Sequence, residues 1–76
     1  MYQIDFNHPI SVYFCGIGGI SMSGLAEILA SRGFRVSGSD RASSAITEEL
    51  ASHGIQVLIG QKAENITPDL DLIVFT

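Results

Sequence analysis

The residues best placed to do chemistry are three glycines, Gly16, Gly18 and Gly19, followed by Ser21 in the stretch Cys15-Gly-Ile-Gly-Gly-Ile-Ser-Met-Ser-Gly-Leu25. A glycine turn entered from a strand and left by a helix aims backbone N–H groups at one point. The first N–H groups of such a helix lack intrahelical acceptors, and its dipole adds partial positive charge. The chemistry expected is capture of a phosphate by the main chain, across residues Gly16, Ile17, Gly18, Gly19, Ile20, Ser21 and Met22. Gly16 and Gly18 suit a tight turn and let a ligand approach bare backbone. By spacing this is a G-x-G-x-x-G in which Ser21 stands in place of the third glycine. Taken as a bare pattern it also fits an NAD(P)-binding module of an oxidoreductase or of a ligand-sensing regulator. Asp40 is the second candidate, with Ser39 before it. It follows Gly16 by 24 residues, near the interval of about 20 at which a carboxylate accepts hydrogen bonds from ribose hydroxyls. The plain alternative for Asp40 is a loop acid that caps a turn.

These residues need elements to hold them. The apolar run 10–15 predicts a strand with Val12 and Phe14 on one face and Tyr13 and Cys15 on the other. A strand apolar on both faces belongs in the middle of a covered parallel sheet. A helix is predicted over 20–32, with Met22, Leu25, Ala26 and Leu29 at i, i+3, i+4, i+7 spacing and Glu27, Ser31 and Arg32 opposite. Gly33 follows at the position of a left-handed cap. Gly24, inside that helix, costs about 0.5–1 kcal/mol relative to alanine. Close helix–strand packing, the role of the missing third glycine, is the expected reason. Residues 34–38 predict a second strand leading into Ser39-Asp40. Ser43-Ser44 offers an N-cap for a helix to about Ser52, with Glu48 and Glu49 in its early turns and Ile46 and Leu50 facing inward. His53-Gly54 closes it. Residues 55–59 predict a third strand, 61–69 a polar loop containing Pro68, and 70–75 a fourth strand. The fold class is α/β: a Rossmann-like parallel sheet with flanking helices, truncated after the fourth strand, with right-handed crossovers. The ligand crevice then lies at the carboxyl ends of the first two strands, beside the topological switch point, where 16–22 and Ser39-Asp40 converge.

Composition narrows the function classes. Seventy-six residues make one small domain or a piece of one, and a chain this short buries only about 60% of its unfolded surface. The last strand has no following helix to cover it, so a longer protein is expected. The net charge is −4 and the basic residues Arg32, Arg35, Arg41 and Lys62 are dispersed, which excludes a nucleic-acid footprint. A single cysteine, Cys15, excludes an internal disulfide and fits a reducing, cytoplasmic compartment; the residue itself reads as a small buried group at a strand end. No apolar run approaches the roughly 18 residues of a membrane span, and no secretory pattern opens the chain. Residues 1–9 form a lead-in arm, with His8 held extended before Pro9. Neither His8 nor His53 has a partner at a useful spacing, and no carboxylate pair or nucleophile–base set occurs. No catalytic residue and no metal ligand is therefore assigned.

The run Phe14-Cys-Gly-Ile-Gly-Gly-Ile-Ser-Met-Ser-Gly-Leu-Ala-Glu-Ile-Leu29, followed by Val36-Ser-Gly-Ser-Asp40, resembles the start of the Mur ligases. The likeness is to the branch acting on UDP-N-acetylmuramate, and Gly54-Ile55, Gly60 and Ala63-Glu-Asn65 extend it over nearly the whole chain. The resemblance implies an ATP-dependent, amide-forming ligase of peptidoglycan precursor synthesis, which adds L-alanine to UDP-N-acetylmuramate. ATP would phosphorylate the lactyl carboxylate, and L-alanine would attack the acyl phosphate. It implies that residues 1–76 are the N-terminal domain that holds the UDP moiety. Residues 16–22 would then lie on the diphosphate, and Ser39 and Asp40 near the ribose or uracil. ATP and Mg2+ would bind in a central domain and a third domain would close over the site, both outside this chain. Consistent with that, no G-x-x-x-x-G-K-[ST] pattern occurs. Where many relatives carry histidines this chain has Ser11, Tyr13 and Gln61, and Ser21 replaces a frequent glycine.

Overall fold

The computed structural model describes residues 7–60 and 69–75. The elements run β1 (Ser11–Cys15), α1 (Ile20–Ser31), β2 (Arg35–Asp40), α2 (Ala45–Ser52), β3 (Gln56–Ile59) and β4 (Leu72–Val74). All four strands are parallel, in the order β3-β2-β1-β4. This is the expected Rossmann-like α/β sheet, with β1 between β2 and β4. Of the predicted loop 61–69, residues 61–68 lie outside the described residues, as do the first six residues of the lead-in arm.

Alternation along β1 sends Val12 and Phe14 to the face that carries both helices, where they join Ile17, Ala26, Leu29, Phe34, Val36, Leu50 and Ile55 in one buried cluster. Tyr13, on the other face, is also buried, as a central strand of a parallel sheet requires. Strand β2 runs two residues further than expected. The reason is pairing on both flanks: Ser39 stands opposite Cys15 and Leu58, and Asp40 opposite Ile59. Arg32 is the C-cap of α1 and not part of the helix. Gly33 and Gly54 follow the two helices at φ of 90° and 85°, the left-handed caps expected of them.

One expectation about α1 fails. Gly24 is exposed, and a Cβ there would meet nothing within 4 Å, so it does not serve close helix–strand packing. The close approach found in this sheet is a different one, between β2 and the turn after β1: at Gly38 a Cβ would lie 2.6 Å from the Phe14 carbonyl oxygen and 2.7 Å from Ile17 Cδ1. A glycine inside a strand is the usual mark of such an approach. The buried stripe of α1 is Ser23, Ala26 and Leu29, with Met22, Leu25 and Ala30 packed at its margins.

Candidate functional site

At the carboxyl ends of β1 and β2 the main chain of the glycine turn is held almost entirely by β2. The Ser39 carbonyl oxygen accepts from Gly16 N–H at 2.8 Å and from Ile17 N–H at 3.0 Å. Gly16 takes a φ of 80° to make that bend, a region where only glycine is comfortable. Ile17 then drops its side chain into the core, fully buried. Gly19 N–H donates to the Gly16 carbonyl at 3.1 Å, and Ser23 N–H returns to the Gly19 carbonyl at 2.8 Å to start the helix.

Asp40 completes the arrangement. Its Oδ2 accepts from Gly18 N–H at 2.9 Å, and its Oδ1 accepts from Arg41 N–H at 2.8 Å. Its own carbonyl accepts from Gly60 N–H at 2.7 Å, so the ends of β1, β2 and β3 meet on this residue. Gly18 has no positive φ; space is what demands a glycine. A Cβ there would sit 2.7 Å from Asp40 Oδ2 and 3.1 Å from the Thr47 methyl carbon. Thr47 is fixed by the cap of α2: Ser44 Oγ accepts from Thr47 N–H at 3.2 Å, and Thr47 Oγ1 accepts from Ser44 N–H at 2.8 Å. The reciprocal cap closes the amino end of α2 with its own side chains.

The amino end of α1 is different. Gly19 is its N-cap, and no side chain caps it. Its first-turn N–H groups, those of Ile20, Ser21 and Met22, have no acceptor within the helix. Ile20 is 84% exposed and Ser21 is exposed, while Met22 packs its side chain on the core. All nine residues singled out from the sequence therefore come together, but in two parts. Gly16, Ile17, Gly18, Ser39 and Asp40 form the hydrogen-bonded base of the turn, while Ile20, Ser21 and Met22 carry the outward-facing donors, with Gly19 as the joint. Ser39 takes part through its carbonyl; its side chain is buried. Thr47 and Gly38 shape this site as well, outside those nine. The Ser-x-x-Thr spacing of Ser44 and Thr47 and the in-strand position of Gly38 are the signals that pointed to them.

Other features lie elsewhere. A cavity of about 660 Å3 is lined by Ser11, Arg35, Gln56 and Tyr13 among others. Ser11, Arg35 and Gln56 each begin a strand, so this cavity is at the amino end of the sheet, away from the crevice where open α/β sheets bind ligands. His53 is not without a partner, contrary to expectation: its Nδ1 lies 3.7 Å from Glu27 Oε1, joining the end of α2 to α1. Both groups are exposed, so the pair contributes little. Among the described residues no three His, Cys, Asp or Glu side chains stand together as a metal site.

Residues 11–76 match a family profile described as "Mur ligase family, catalytic domain". The chain belongs to the Mur ligase family. The match takes in the whole glycine turn, Asp40 and both helices. Over all 76 residues this Mur ligase chain is 63% identical to the UDP-N-acetylmuramate–L-alanine ligase of Lachnospira eligens and 63% identical to that of Lachnoclostridium phytofermentans. It is 59% identical over the same length to the enzyme of that name from Agathobacter rectalis. The chain spans about 17% of the length of the first of these relatives and 16% of the second. None of the helices described is long and apolar enough to cross a membrane.

Proposed function

We propose that residues 1–76 are the N-terminal, UDP-binding domain of a cytoplasmic, ATP-dependent ligase that joins L-alanine to UDP-N-acetylmuramate in peptidoglycan precursor synthesis. The observation that carries this reading is the uncapped amino end of α1, set on a glycine turn that Asp40 and the Ser39 carbonyl hold at the carboxyl edge of the sheet. A helix end with unpaired N–H groups is a ready anion site, and a diphosphate supplies the anion. The relatives named above supply the substrate: a sugar nucleotide, with L-alanine as co-substrate. With few basic residues in the chain, backbone donors and the helix dipole do most of the binding. In this reading ATP and Mg2+ bind in the remaining length of the ligase, since the chain spans about 17% of the first relative named.

Amide chemical-shift titration of the 15N-labelled protein tests the reading. UDP and UDP-N-acetylmuramate are expected to move the signals of Ile20, Ser21 and Met22 most, with Gly18 and Gly19 following. NAD(H) is expected to leave them in place. Binding of NADH without binding of either UDP compound would overturn the ligase reading in favour of a dinucleotide module.

A further inference from the structure

Asp40 was expected to meet a ribose, yet both of its carboxylate oxygens are already engaged with main-chain N–H groups, one from the glycine turn and one from the residue after Asp40. Oδ2 holds Gly18 at 2.9 Å and Oδ1 holds Arg41 at 2.8 Å. We infer that Asp40 is a positioning residue, which locks the glycine turn to the end of β2 and so fixes the direction of the first-turn N–H groups of α1. This rests on the proposal that the turn faces a diphosphate.

Three observations carry it. The first is the fit of Gly18, whose missing Cβ leaves room for that same Oδ2 and for the Thr47 methyl. Glycine is required there by the carboxylate and by α2, not by backbone conformation. The second is the support behind the lock: the Ser44–Thr47 cap fixes α2 against Gly18, and Gly60 N–H holds the Asp40 carbonyl. The third is the sharing out of donors. Gly16 and Ile17 donate to Ser39, Gly18 to Asp40 and Gly19 to Gly16, so the anion is left to Ile20, Ser21 and Met22. Charge matters to the lock. A carboxylate accepts at both oxygens, whereas an asparagine offers one acceptor and would turn an NH2 donor on one of the two N–H groups.

Hydrogen exchange without ligand, combined with binding of UDP and of uridine, tests this. In Asp40→Asn and in Asp40→Ala the Gly18 amide is expected to exchange at least about tenfold faster than in the native protein, the equivalent of about 1.4 kcal/mol. The Val12 and Leu29 amides are expected to stay protected, which shows the fold intact. UDP affinity is expected to fall in both variants while uridine affinity holds, because the phosphate donors and not the ribose contact have lost their alignment. Gly18→Ala is expected to weaken UDP binding in the native background and much less in the Asp40→Ala background. Unchanged Gly18 exchange in both variants, or equal losses for UDP and uridine, would overturn the inference and return Asp40 to the ribose. Fast Gly18 exchange in the variants of a protein that binds no UDP would uphold the lock and refute the UDP reading instead.

Discussion

Asp40 shows how much a single side chain can do once its neighbours are known. A carboxylate at the end of β2 was the natural partner for a sugar hydroxyl, and its contact with Gly18 N–H gives it a prior task. Asp40→Asn is expected to weaken UDP binding about tenfold, the equivalent of about 1.4 kcal/mol, as judged by calorimetric titration. Glu48→Gln, on the exposed side of α2, is expected to change it by less than about twofold, as a surface substitution of at most about 0.5 kcal/mol. Equal effects would make Asp40 a loop acid with no part in the site. Gly24 gives the opposite lesson. Nothing surrounds the space a Cβ would fill, so Gly24→Ala is expected to stabilise the protein by about 0.5–1 kcal/mol. Thermal melting should register this as a rise of about 4–8 °C per kcal/mol for a domain of this size.

At the scale of elements, the two helices end alike and begin differently. Each closes on a left-handed glycine, Gly33 or Gly54, and both were legible because a periodic apolar stripe running into glycine has few other readings. At the amino ends, α2 is sealed by Ser44 and Thr47, and α1 is left open behind Gly19. Ser44→Ala removes the acceptor for Thr47 N–H and is expected to cost about 0.5–2 kcal/mol, measurable as a lower denaturation midpoint in urea. Because Thr47 abuts Gly18, the same change is expected to loosen the turn, seen as faster exchange at the Gly18 amide. Gly38 belongs at this scale as well. It lets β2 and the turn after β1 approach to a distance no side chain permits.

For the whole molecule, the strand order β3-β2-β1-β4 sets the glycine turn at the carboxyl end of β1, beside the β1/β4 boundary where the strand order reverses, the place where open α/β sheets form their crevice. Strand β4 is short, half-buried and paired only with β1 among the described strands. At its amino end Asp71 Oδ2 accepts from Ser11 N–H at 2.8 Å, and Asp71 N–H donates to the Ser11 carbonyl at 3.0 Å. Asp71→Ala leaves the main-chain bond and removes the side-chain one. The expected cost is about 0.5–1.5 kcal/mol, read as faster hydrogen exchange in β4 and at Ser11 while α1 keeps its protection.

The elements, their parallel class, the glycine turn and part of each helix's inward stripe were legible without the fold: Ala26, Leu29 and Leu50 are buried as expected, while Met22, Leu25 and Ile46 lie at the margin and Ser23 and Thr47 take buried places. The legible features follow from local periodicity, from glycine and proline chemistry and from caps, all of which act over a few residues. Val12 and Phe14 sharing one face with Tyr13 on the other is the plainest case, since alternation along a strand needs no tertiary information; that the helices cover the Val12 face came from the fold. Packing settled what Asp40 holds, why residue 18 must be glycine, that Gly24 packs against nothing while Gly38 meets the turn after β1, and that His53 meets Glu27. The contacts among them join segments far apart in the chain, 22 residues for Asp40 and Gly18, and the Asp71–Ser11 pair at 60 residues is of the same kind. Such contacts are set by strand order and register. A residue's type states what it can bond to; only the packing of the sheet states which partner arrives first.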